Sequence, residues 1–117
     1  MARLSWAFLL LGACATDPPA DAYRAIGQEP GWTVTIADRR ILYVGDYGET
    51  RIVVPAPEPR TSFNGHRYET ARLTVDVAHA RCNDAMSGVG YADQVLVIAD
   101  GRSVRGCGGE RRPEWDQ

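Results

Sequence analysis

Three cysteines, two histidines and 15 acidic residues are the side chains of this chain with the clearest chemical potential. Their spacing narrows what that chemistry could be. A metal centre wants ligands grouped at short intervals, as in Cys-x-x-Cys pairs or His-Glu-x-x-His. Cys14, Cys82 and Cys107 stand far apart, and His66 and His79 fall in neither pattern. The sequence therefore predicts no metal site and no cofactor. A redox dithiol needs close thiols of lowered pKa, and Cys82 and Cys107 are not close in sequence. Ser87, His79 and Asp84 could be drawn as a hydrolase triad. Ser87, however, lies in Ala85-Met86-Ser87-Gly88 and not in the Gly-x-Ser-x-Gly elbow that such a nucleophile uses. Asn83, Asp84 and Ser87 suit instead a loop that hydrogen-bonds its own backbone. Nothing selects two of the acids as a glycosidase pair. The glycines at 106–109 do not open a helix as a phosphate cradle would. No catalytic residue is assigned, and a hydrolase is only an alternative reading.

The elements that must position these residues read as short strands. Residues 68–79 alternate, with Leu73, Val75, Val77 and His79 on one face and Arg72, Thr74, Asp76 and Ala78 on the other. That period of two predicts a half-buried strand. Asn64-Gly65 before it is a tight hairpin signal. Residues 60–63 form the preceding strand, behind Pro55, Pro57 and Pro59, which favour an edge or loop. Trp32, Val34 and Ile36 share a face of another strand. Residues 41–44 and 51–54 follow across turns at 37–40 and 45–48. Residues 94–98 and 102–106 flank Asp100-Gly101, a second hairpin. No segment keeps a helical period. The fold class is all-β, a small antiparallel barrel or sandwich, and residues 109–117 read as a flexible tail.

The first 14 residues give an address. Arg3 precedes an apolar run at 4–11, which ends in Leu11-Gly12-Ala13-Cys14. A charged start, a short apolar stretch and small residues before a cut site define a secretory signal. The run is short of the roughly 20 residues that span a bilayer. Its ending resembles the lipobox of bacterial lipoproteins. That resemblance implies cleavage before Cys14 and lipidation of Cys14. Ala15 after it resembles the outer-membrane sorting class, so the expected place is the periplasmic face of the outer membrane, with the membrane as a partner through the anchor. Thr16-Asp17-Pro18-Pro19 begins a tether. The expected organisation is a signal at 1–13, a lipidated Cys and tether at 14–22, a β domain at 23–108 and a tail at 109–117. With Cys14 lipidated, Cys82 and Cys107 remain as a pair, which an oxidising compartment would join as a disulfide. Closing that loop is worth about 3 kcal/mol in the chain-entropy model. The net charge of −2, with Arg as every one of the 13 basic residues, offers no basic patch for nucleic acid.

Two resemblances bear on function. Gly27-Gln28-Glu29-Pro30-Gly31-Trp32, then Cys82-Asn83-Asp84-Ala85-Met86-Ser87, then Gly106-Cys107 resemble a family of small uncharacterised bacterial envelope lipoproteins. Its pattern is Glu-Pro-x-Trp, then Cys-x-Asp-x-Met-Ser, then Gly-Cys. That likeness implies location and fold, with a non-enzymatic binding or structural role. Ser87-Gly88-Val89-Gly90-Tyr91 is similar to the Ser-Gly-x-x-Tyr loop of the inhibitors of c-type lysozyme. It implies insertion of Ser87 and Tyr91 into a lysozyme cleft. The Trp-x-Lys-Gly stretch of those inhibitors has no counterpart in this Lys-free chain. Ser87, Tyr91, Trp32 and Glu29 are thus the candidate binding residues, for an envelope or host protein. Trp32 has a competing role as a core residue in phase with Val34 and Ile36.

Overall fold

The structure, a computed structural model, describes residues 21–117. The signal at 1–13, Cys14 and all of the tether before Asp21 lie outside the described residues. Ten strands account for most of the rest: β1 (Tyr23–Gly27), β2 (Trp32–Ala37), β3 (Arg40–Gly45), β4 (Thr50–Pro55), β5 (Arg60–Ser62), β6 (Gly65–Glu69), β7 (Leu73–Ala78), β8 (Cys82–Asn83), β9 (Gly90–Ala99) and β10 (Arg102–Arg111). They form one antiparallel sheet in the order β4-β3-β2-β1-β10-β9-β7-β6-β5, with β8 joined to β9 outside that path. The described residues are all-β, as expected, and Cys82 and Cys107 are joined as a disulfide.

One continuous sheet can bury an apolar face only by curling on itself. Val34, Ile41, Ile52, Leu73, Val75 and Val97, from strands between β4 and β7 along the path, meet in one buried cluster. The result is a half-barrel, not two stacked sheets. Trp32 is the largest side chain inside, 3% exposed, with its ring 6.3 Å from that of Tyr43. It lies against Gly27 and Gly106, where any Cβ would overlap the indole. Trp32 is therefore a core residue, and the exposed binding role does not apply to it. Removing so large a buried ring costs about 3–5 kcal/mol.

The two edges of the path, β4 and β5, are consecutive in sequence. Every neighbouring pair is antiparallel and the two edges are an even number of steps apart, so β4 and β5 run in the same sense. Residues 50–62 are one extended segment whose first part pairs with β3 and whose last part pairs with β6. Pro55 ends the first part, and Pro57 and Pro59 lie between the two. Proline offers no N–H to a neighbouring strand, so the segment changes partners where it has fewest donors to lose.

Three expectations are corrected. The strand expected at 68–79 is two strands, β6 and β7, turned at 70–72 by Thr70. Its hydroxyl accepts the Leu73 N–H at 3.0 Å, and its own N–H bonds the Leu73 carbonyl. The boundary at 108 falls inside β10, which continues to Arg111 past a bulge where Gly109 has φ of 79°. Residues 112–117, expected as a flexible tail, fold back through a 3-10 turn, Pro113–Trp115, onto the start of β9.

Strand directions sort the connections onto two rims. One rim carries the turns at 28–31, 46–49, 70–72 and 100–101, tied by Arg72 to Asp100 and by Arg102 to Asp46. The other carries the start of β1, the Asn64-Gly65 turn, the end of β7, the start of β9 and the C-terminal residues.

Candidate functional site

The feature that stands out from the barrel wall is the connection at 79–89. After β7 the chain leaves the sheet, makes the two-residue strand β8 against Gly90 and Tyr91, and crosses the outer face of β9 and β10. Cys107 pairs with the exposed Gln94 and so points outward from β10. It is nevertheless 1% exposed, because the disulfide draws the loop over it.

Asp84 organises this loop. Its carboxylate accepts from the Ser87 N–H and hydroxyl, both at 2.9 Å, from the Met86 N–H at 3.2 Å, and from Gln28 Nε2 at 3.3 Å. Burial alone would raise the Asp84 carboxyl; the donors from Ser87, Gln28 and Met86 outweigh it and hold it below the usual carboxylate range. The backbone closes the same turn, Gly88 N–H to Asp84 and Asp84 N–H to Val89. Ala85, Met86 and Ser87 are left at the surface, with Met86 66% exposed.

The C-terminal residues brace the loop from behind. Asp116 accepts the Gly90 N–H at 2.8 Å and an Arg111 N–H at 2.6 Å. These contacts, Gly90 first, hold its carboxyl low. Asn83 Nδ2 donates to the carbonyls of Gly88 and Trp115, and the Gln117 N–H donates to Gly88. The Trp115 ring lies under the guanidiniums of Arg81 and Arg112, at 5.4 and 4.7 Å. Gly90 admits this packing, since a Cβ there would sit 2.6 Å from that of Trp115.

Between the loop and the wall lies a groove of about 450 Å³, within the size range of small-ligand sites. Leu96 and the disulfide give it an apolar side, and Gln28, Asn83, Gln94 and Arg105 a polar one. Among the described residues Arg105 has no ion-pair partner.

The residues singled out in the sequence are not gathered at one point. Ser87 is at the loop surface, but its hydroxyl is engaged by Asp84 and by the Val89 N–H. Tyr91 lies within β9, half-buried, in the inward phase of Asp93 and Val95. Glu29 is exposed in the 28–31 turn with φ of 55°, and its side chain bonds no described residue. The drawn triad does not assemble: Asp84 holds Ser87, whereas His79 is bonded to Asp93.

Asp93 is the residue that sequence reasoning missed. At 5% exposure it accepts the Tyr23 hydroxyl and bonds His79 Nδ1, each at 2.8 Å, in the barrel mouth at the rim where β1 begins. Burial, then the bond to Asp93, pushes the Tyr23 phenol above its ordinary value. The only signal was phase, since Asp93 shares its parity with Val95 and Val97. No helix of the described residues is long and apolar enough to cross a membrane. Compared with known proteins, the chain matches no family model, no curated protein and no solved structure.

Proposed function

We propose that this is a lipid-anchored envelope protein with a non-enzymatic binding role, and that residues 82–89 with the adjoining groove are its recognition surface. The observation that carries this reading is the loop built on Asp84. A buried carboxylate, a disulfide and the folded-back C-terminus fix its shape before any partner arrives, and Met86 and Ser87 stand exposed on it. A loop already ordered loses less freedom on binding. An exposed Met adapts to an apolar partner surface, and the groove beside it can take a partner side chain. The address rests on the apolar run at 4–11 and on Leu11-Gly12-Ala13-Cys14.

The test is site-specific photocrosslinking in cells, with the crosslinker at Met86 and, as control, at Val53 on β4. A discrete protein adduct at 86, absent at 53 and lost with Asp84→Ala, supports the reading. Equal adducts at both positions, or none, removes it. A soluble form beginning at Ala15, titrated against c-type lysozyme in a lysis assay, tests one partner directly. Inhibition near one-to-one, lost with Ser87→Ala plus Tyr91→Ala, would identify that partner.

A further inference from the structure

The two histidines, 13 positions apart in sequence, come together in the barrel mouth. His66 lies on β6, and β6 pairs with β7, so that His66 faces Val77. His79 continues the inward phase of Val75 and Val77 past the end of β7, its N–H bonded to the Asn64 carbonyl. The ring centroids are 5.6 Å apart and the rings are tilted by 51°. Two imidazoles bound to one metal ion through nitrogens at about 2.0–2.1 Å have centroids about 4.5–6.4 Å apart, from a right angle at the metal to a straight line. His79 is also oriented. Asp93 as a carboxylate only accepts hydrogen bonds, so Nδ1 carries the proton toward it. In the neutral imidazole Nε2 then keeps its lone pair for a metal ion. A carboxylate behind the ligating ring is the usual support of a metal-binding histidine. Asp93 is fixed in turn by the Tyr23 hydroxyl, and the His79 side chain is 57% exposed.

We propose that His66 and His79 form a two-imidazole site for a first-row divalent cation, with Asp93 and Tyr23 as positioning residues. Among the described residues no group of three or more His, Cys, Asp or Glu is placed around a common point, so solvent would complete the coordination. Imidazole donors suit Zn²⁺, Ni²⁺ and Cu²⁺, and Cu²⁺ heads that order of affinity. The site is separate from the loop at 82–89 and does not depend on the function proposed for it.

The test titrates the full chain in detergent with Cu²⁺ alone, read by calorimetry and by electron paramagnetic resonance. The expected result is an equivalent whose spectrum carries coupling to two imidazole nitrogens. His66→Gln, at a half-buried position, and His79→Gln, at an exposed one, are each expected to weaken it at least tenfold. Asp93→Asn is expected to weaken it about tenfold, the lower end of such support effects. The circular dichroism of each variant reports on its fold. If Asp93→Asn misfolds, Tyr23→Phe serves as the second probe of the support. Unchanged affinity in both histidine variants, loss in only one of them, or no binding at micromolar Cu²⁺ overturns the proposal.

Discussion

Asp84 carries more of the loop than any other residue. A hydrogen bond to a charged group contributes about 1.5–3 kcal/mol, and Asp84→Ala strands the Ser87 and Met86 donors together. Water reaches the vacated turn and recovers part of the loss. The expected net cost is about 2 kcal/mol, measured by urea denaturation, along with loss of the crosslink at Met86. The pH dependence follows from the lowered carboxyl. Its folded-state pKa lies below the unfolded value, so its stabilisation is complete above the unfolded pKa of about 4. It is lost as pH falls through the folded value. Wild-type stability should therefore drop on acidification below about pH 4, and Asp84→Asn should flatten that drop. Asp84 was legible in the sequence as a loop former because its partners are two and three positions away. Asp93 was not, because its partner Tyr23 is 70 positions away and nothing in Tyr91-Ala92-Asp93-Gln94 marks a buried carboxylate.

At the scale of elements, the loop and the C-terminal residues form one unit. Deleting 112–117 removes the Asp116 acceptor for Gly90, the Trp115 carbonyl for Asn83 and the cover over Gly90. The amides of Gly88 and Gly90 should then exchange with solvent at least tenfold faster, while those of Val75 and Val97 stay protected. Exchange mass spectrometry separates the two sets, since local opening need not involve the core. This unit was only half visible in the sequence. Alternating Leu, Val and Ile residues and the Asn-Gly and Asp-Gly pairs marked strands and hairpins because those signals are local. Glu69-Thr70-Ala71-Arg72 holds no Gly, Pro, Asn or Asp, so the turn at 70–72 passed as strand. The strand expected at 102–106 runs on to Arg111, because Gly109, with φ of 79°, lets β10 bulge and continue.

For the whole molecule, the disulfide joins positions 25 apart across the wall that holds the first and last strands. Closing a loop of this length is worth about 3 kcal/mol. Reduction should lower the midpoint of thermal unfolding by about 15 °C, from about 4–8 °C per kcal/mol for a domain of this size. Calorimetry of oxidised and reduced chains checks this. The barrel-like closure itself was only a class in the sequence, because the pairing of β1 with β10 leaves no local signature.

That pairing sets an order of events. β1 sits between β2 and β10, with Ala25 opposite Gly108 and Ile26 opposite Cys107. β1 thus waits for β10, which follows it far along the chain. A chain still emerging from a ribosome, or still threading a narrow pore, has β2 available to β1 but not β10, and it can bring the hairpins of the first half together without closing the wall. Contacts this distant in sequence form slowly. The wall can close only once residues 102–111 are free to pair with β1.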